Sequence, residues 1–160
     1  MKTKIIHFIA LLLLLLVTGV FWGTWFTMTR SIDQFSAAEF IHIGRVIIAN
    51  VAVPMSILMP ACIIFLGLSL WFYPEKPSAG FHLSIAALVL MIITLLVTLI
   101  ILVPIDNDLK QWTASALPEH WEDIRSRWHA YHAVRTFTAL ASFACFALAA
   151  INVKNPTTKK

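Results

Sequence analysis

The chain has 160 residues, 59% of them hydrophobic and 12% charged, with a mean hydropathy of +0.82. Soluble domains hold nearly half apolar and about a quarter charged residues, so this balance reads as an integral membrane protein, and the length leaves room for one domain with no separate soluble catalytic module. A formal net charge of +4 without any dense Lys/Arg run excludes a nucleic-acid surface.

The first apolar run, Ile5 to Met28, follows Lys2 and Lys4. Its leucine-rich portion and basic flank fit a secretory signal, but no A-x-A-like site follows, and Phe21, Trp22, Trp25 and Phe26 extend the run to about the 20 residues that span a bilayer. It is read as an uncleaved transmembrane helix, in which Gly19 and Gly23 form a GxxxG pair able to admit a neighbouring backbone. The second run, Val46 to Tyr73, carries Pro54 and Pro60. Each proline frees the carbonyl four residues back, at Asn50 and Ser56, so a kinked and locally polar wall is expected. Pro74, Glu75, Lys76, Pro77 and Gly80 make a short turn, and the third run, His82 to Val103, is expected to end against Pro104. Thr94 and Thr98, one turn apart, should bond back to their own helix.

Asp106, Asn107 and Asp108 read as cap residues ahead of a short helix or interfacial segment containing Leu109, Trp112 and Leu117. Pro118 suits the first turn of a new helix, where Glu119, Glu122 and Asp123 supply the negative charge the dipole favours. Helical character then continues to about Asn152, with the fourth span at Ala133 to Val153. The expected fold is all-α: an integral membrane four-helix bundle, antiparallel, forming one transmembrane domain over 1–160. Its spans lie near 5–28, 46–73, 82–103 and 133–153, the fourth helix being extended.

Four spans place both termini on one side, with the Pro74 to Gly80 turn. The 12 Lys and Arg residues divide evenly between the two sides, whereas of the acids only Glu75 lies with the termini. Cytoplasmic termini are the resulting expectation. All five arginines lie opposite the termini and six of the seven lysines lie with them. Arginine, with its planar fork of donors, is the better residue for holding a carboxylate, carbonyl or ring in a fixed pose.

The stretch WEDIRSRWHAYHAVR, Trp121 to Arg135, concentrates this chemistry. At about 100° per residue, Trp121, Arg125, Trp128, His132 and Arg135 gather into an arc of roughly 80° on one helix face. A charge at mid-span costs about 2.5–3.5 kcal/mol, so Arg135 needs a reason to be there. In one reading the row faces inward and lines a pocket open to the side opposite the termini; in the other it is an aromatic belt with snorkelling arginines. A second set, His42 and Arg45 with Asn50 at its edge and Ser56 further along, opens the second span toward the same side, as a pocket wall or as loop residues at the water boundary. Cys62 and Cys145 sit in apolar runs and read as packing. His129 and His132, three apart, point about 60° from each other on a helix without an accompanying carboxylate motif, which is thin support for a metal, and His42 with His132 is equally thin support for haem. No metal site or cofactor is assigned, and no Ser-His-Asp or Cys-His nucleophile is flagged.

The run VPIDNDL (Val103 to Leu109) followed by W-x3-R-x2-W-x3-H-x2-R (Trp121 to Arg135) resembles the anthrone-oxygenase-like family of small four-helix membrane proteins, long catalogued as a domain of unknown function. The similarity extends over most of the chain. Where the family usually reads P-x-N-N, Asp106 stands at the first Asn and Asn107 keeps the second. The resemblance implies oxidation by oxygen of a small flat phenolic ring system, without a cofactor, in a bacterial inner membrane. In that chemistry His132 would be the base, Arg125 and Arg135 the stabilisers of the enolate, and Trp121 and Trp128 the walls, with Asn107, His42, Arg45 and Asn50 as further ligand contacts. The expected partners are the lipid bilayer and a small aromatic ligand, assembly with further copies being left open. The alternative, from another functional class, is a non-catalytic membrane subunit or binding module whose Trp/Arg/His face packs on a partner.

Overall fold

Residues 2–113 and 115–151 are described by the structure, a computed structural model. The regular elements among them are helical: α1 (Lys2–Thr27), a 3-10 turn (Thr29–Gln34), α2 (Ala37–Trp71), α3 (Ala79–Val97), a π-helical turn (Thr98–Leu102), α4 (Val103–Leu109) and α5 (Trp121–Ile151). Because α3, the π turn and α4 follow one another without a break, there are four helical stretches, each long and apolar enough to cross a membrane. The fold is an all-α, integral membrane four-helix bundle.

Caps set several of the boundaries. Ser36 N donates to Glu39 Oε2 (2.8 Å) and Glu39 N to Ser36 Oγ (3.4 Å), a reciprocal capping box that starts α2 at Ala37, ahead of the apolar run expected from Val46. At the head of α3, Phe81 N donates to Ser78 Oγ (3.2 Å). Glu122 and Asp123 occupy the first turn of α5, but Glu119 precedes it. Pro118 accepts from Trp121 N (3.2 Å), so it closes the turn before the helix rather than opening the helix itself.

Pro104 does not end the third span. In a regular helix its ring would collide with the carbonyl of Ile100 and its missing N–H would break the ladder; the wider π turn just before it takes up the misfit, and the helix runs on to Leu109. Asp106 and Asp108, expected as caps, therefore lie within α4. The segment expected over Leu109, Trp112 and Leu117 is not a second helix but a set of turns after Leu109, with an isolated bridge between Thr113 and Ala116. The expected end of the fourth span at Asn152 and Val153 lies outside the described residues.

α1 and α3 each pack against both α2 and α5. Thr18 Oγ1 donates to Ala139 O and Thr136 Oγ1 to Phe21 O, both at 3.4 Å. Ser142 Oγ donates to Ala87 O (2.7 Å), and Thr94 Oγ1 pairs with Thr138 Oγ1 (2.9 Å). Numbers fall on α5 as they rise on its neighbour, so both pairs run in opposite directions. Such hydroxyl contacts replace the hydrophobic drive that helix pairing lacks in lipid. Thr94 and Thr98 also bond back to Leu90 O (2.9 Å) and Thr94 O (2.8 Å), as their spacing predicts.

The GxxxG pair is not a packing seam. A Cβ added at Gly19 or Gly23 would meet nothing within 4 Å, because α1 turns Leu14, Val17, Thr18 and Phe21 inward instead. Close approach occurs at Gly44, against the Leu109 side chain, and at Gly80, against the Tyr73 hydroxyl. Tyr73 Oη donates to Ala149 O (3.3 Å), and burial pushes the phenol pKa up from its ordinary value, which keeps the donated proton in place.

The interior has two apolar clusters. One, toward the termini, includes Leu14, Val17, Met59, Cys62, Leu66, Met91 and Phe146; the other includes Ile32, Phe40, Ile48, Leu102, Leu109 and Trp128. Cys62 and Cys145 are free thiols, the first fully buried among apolar neighbours. The candidate site lies where the two clusters meet.

Candidate functional site

The last three residues of the α5 row face the interior: Trp128 is 1%, His132 4% and Arg135 9% exposed. An exposed aromatic cluster of the kind a belt would use lies elsewhere, between α1 and the outer face of α5, where the exposed Trp22, Phe26 and Phe137 group with Trp25 and Arg30 lies over Trp25 and Phe26. Belt residues face lipid, so the buried half of the α5 row is an interior feature.

Trp128, His132 and Arg135 line a cavity of about 330 Å³, within the size range of small-molecule sites. Val20, Phe21 and Thr24 of α1 close one side. α2 contributes Ile48, Val51, Met55 and Met59, and the third span contributes Leu95, Thr98, Asp106, Asn107 and Lys110. Ala52, Ser56 and Pro60 of α2 and Leu99 and Val103 opposite them line the cavity while being solvent-accessible from outside. The cavity is therefore open along a seam between α2 and the π turn.

A chain of contacts fixes its polar wall. Trp128 Nε1 donates to Asp106 Oδ1 (2.9 Å), satisfying the indole N–H of a fully buried ring. The Trp128 and His132 rings lie 3.8 Å apart between centroids, tilted by 42°. Arg135 Nη2 lies 2.9 Å from His132 Nδ1, and its guanidinium sits over Phe21 at 4.3 Å, a cation–π contact that partly compensates its burial. Thr136 Oγ1 donates to His132 O (2.7 Å) and to Phe21 O, tying α5 to α1 at this level.

The tautomer follows from donor counting. A guanidinium has donors and no acceptor, so His132 Nδ1 must accept, and the ring proton resides on Nε2. That Nε2 is buried without a hydrogen-bond partner among the described residues, as is Arg135 Nε. A buried donor left unpaired costs about 1–3 kcal/mol, which a ligand acceptor would recover. The lone pair a general base at His132 would use is engaged by Arg135.

Other expected site residues are placed differently. Arg125 leaves the cavity and holds the α1–α2 connection: Nη1 donates to Phe35 O (3.0 Å), Nε lies 3.6 Å from Asp33 Oδ1, and the guanidinium stacks on Trp121 at 4.8 Å. Trp121 contacts Phe40, with ring centroids 6.4 Å apart. Arg45 caps α4, donating through Nε to Leu109 O (3.4 Å) and through Nη2 to Lys110 O (2.8 Å) and Trp112 O. His42 and Asn50 are exposed and outside the cavity lining. Asn107 is in the lining, and its Oδ1 accepts from Lys110 Nζ (3.0 Å).

Residues 45–145 match the sequence model of a family described as anthrone oxygenase. The chain belongs to the anthrone oxygenase family. Neither a curated protein nor a solved structure matches it significantly. The matched segment of the anthrone oxygenase family member contains all of α2's cavity face, the π turn and α4, and the buried half of the α5 row; Phe21 and its α1 neighbours lie ahead of it. Sequence reasoning missed Asp106 and Lys110 as cavity residues because it stopped the helix at Pro104. The signal was available in Trp128, whose indole N–H, once buried, requires an acceptor.

Proposed function

We propose that this anthrone oxygenase family member binds a small, flat phenolic or keto-aromatic molecule in the cavity and oxidises it with dioxygen. The ring system would lie against Trp128, Phe21 and the methionines, with a ring oxygen accepting from His132 Nε2–H beside the Arg135 cation. For a tricyclic ketone with one methylene, the balanced reaction converts that CH2 to C=O; one oxygen atom of O2 enters the carbon and the other leaves as water. Electron-rich carbanions of this kind react with dioxygen directly, and the site's contribution is to form and hold the anion.

The observation that carries the reading is the unpartnered His132 Nε2–H, buried in an aromatic-walled cavity next to a cation. The rival reading, in which the α5 row packs on a partner helix, has less support, because Trp128, His132 and Arg135 are covered by their own chain. We further place the protein as one transmembrane unit in a bacterial inner membrane, with both termini cytoplasmic and the polar end of the cavity toward the opposite face. The test is turnover of anthrone by the purified protein in lipid nanodiscs, read as oxygen uptake and quinone formation. His132→Ala and Arg135→Leu should each abolish turnover while the helical circular dichroism is kept; activity surviving both substitutions would refute the assignment.

A further inference from the structure

We propose that Asp106 is the proton acceptor of this site and that His132 is its hydrogen-bond donor; this rests on the reading of the cavity as a site for a keto-aromatic ring. The assignment starts from the count of available lone pairs. Among the cavity-lining residues Asp106 is the one carboxylate. The hydroxyls of Thr24, Ser56 and Thr98 donate to Val20 O (2.9 Å), Val53 O (2.8 Å) and Thr94 O (2.8 Å), and a neutral hydroxyl oxygen is too weak a base to take a proton from carbon. Asn107 Oδ1 takes the Lys110 ammonium, and an amide is in any case no base. His132 Nδ1 is occupied by Arg135.

Asp106, by contrast, commits only Oδ1, to Trp128 Nε1. This contact orients the carboxylate by a neutral donor without cancelling its charge, and it leaves Oδ2 for a ligand. Trp128 touches both groups: its nitrogen bonds Asp106 (2.9 Å), and its ring lies 3.8 Å between centroids from that of His132, tilted by 42°. A tricyclic ring ketone carries an acidic methylene and a carbonyl at different positions of one plane. Placed on the Trp128 wall, it can meet both groups at once.

The step is a proton transfer. The methylene C–H bond breaks, the proton passes to Asp106 Oδ2, and the electron pair moves through the ring to the carbonyl oxygen, which becomes an enolate accepting from His132 Nε2–H. Arg135, which donates to the far nitrogen of that imidazole, stabilises the negative charge without touching the ring. The division of labour is that of a general base facing an oxyanion donor.

The step can be isolated from oxidation. The full-length protein in nanodiscs is mixed anaerobically with anthrone in deuterated buffer; binding is read by tryptophan fluorescence and exchange at the methylene by proton NMR. Asp106→Asn keeps an oxygen for Trp128 but removes the base. It should bind anthrone within about threefold of the parent and lose ~100-fold or more in exchange rate, the usual span of general-base effects, with Asp106→Glu recovering part of the loss. His132→Gln should weaken enolate formation while Asp106 is intact. Exchange by Asp106→Asn at the parent rate would overturn the proposal and leave the ring-binding reading standing. A parent that binds but does not exchange would likewise overturn it. A parent that neither binds nor exchanges would overturn both.

Discussion

Arg135 Nη2 donates to His132 Nδ1 across 2.9 Å, within one helix and in the interior of the bundle. Among the described residues no carboxylate is bonded to the cation, and its guanidinium lies over the face of Phe21. A buried charge held this way is a weak contributor to stability, and an apolar residue of similar reach is often neutral or better in its place. Arg135→Leu should therefore change unfolding free energy by less than about 1 kcal/mol while lowering anthrone affinity roughly 10- to 100-fold, through the His132 donor that the cation strengthens. SDS-titrated unfolding and fluorescence binding check the two halves. A large stability loss with unchanged binding would make the arginine structural.

Trp128 and Asp106 join α5 to α4 through one hydrogen bond. Trp128→Phe removes the donor and should cost about 1–3 kcal/mol. Asp106→Leu removes the acceptor. The double variant should be less destabilised than the sum of the singles, with a coupling of 0.5–3 kcal/mol. Additive losses in the unfolding measurement would show that the two side chains do not act as a pair.

Arg45 donates to three consecutive-turn carbonyls at the end of α4, Leu109, Lys110 and Trp112. Those carbonyls lie at a helix C-terminus, where intrahelical partners run out. Arg45→Ala should speed amide hydrogen exchange over residues 107–113 and lower stability by about 1–3 kcal/mol, with ligand affinity unchanged. Lysine, a point charge without the fork, should restore little. Loss of affinity without local exchange would instead place Arg45 in the binding site.

Glycine positions separate by what surrounds them. At Gly80 an added methyl meets the Tyr73 hydroxyl and its partner Ala149 O, so Gly80→Ala should destabilise by about 1–3 kcal/mol, the range for overpacking. Gly19→Ala and Gly23→Ala meet open space and should stay within about ±0.5 kcal/mol. Thermal unfolding in detergent distinguishes them; equal losses at all three sites would contradict the packing described.

The four spans were legible because hydropathy and length suffice where every backbone group must be paired inside a helix. The inward turn of Trp128, His132 and Arg135 was legible too, since one helical period fixes their common direction. Trp121 and Arg125 share that direction but sit about two turns and one turn above Trp128, where Phe40 of α2 meets the first and Asp33 and Phe35 of the α1–α2 connection meet the second before any cavity does. Periodicity gives azimuth; it does not give which neighbour arrives at each level. The same gap explains GxxxG, a motif whose meaning depends on a partner helix that here packs on another face of α1. Asp106 was hidden by Pro104, because a proline reads as a stop unless the preceding turn is known to be wide.

The seam between α2 and the π turn lies within stretches long and apolar enough to cross a membrane, bordered by Ala52, Ser56, Pro60, Leu99 and Val103. On the proposed function, a sparingly water-soluble aromatic would collect in the bilayer, and the acyl phase would be the reservoir that feeds such a hollow. Its governing concentration would then be the mole fraction in lipid, and half-saturation is expected to scale with the amount of membrane supplied rather than with the volume of buffer.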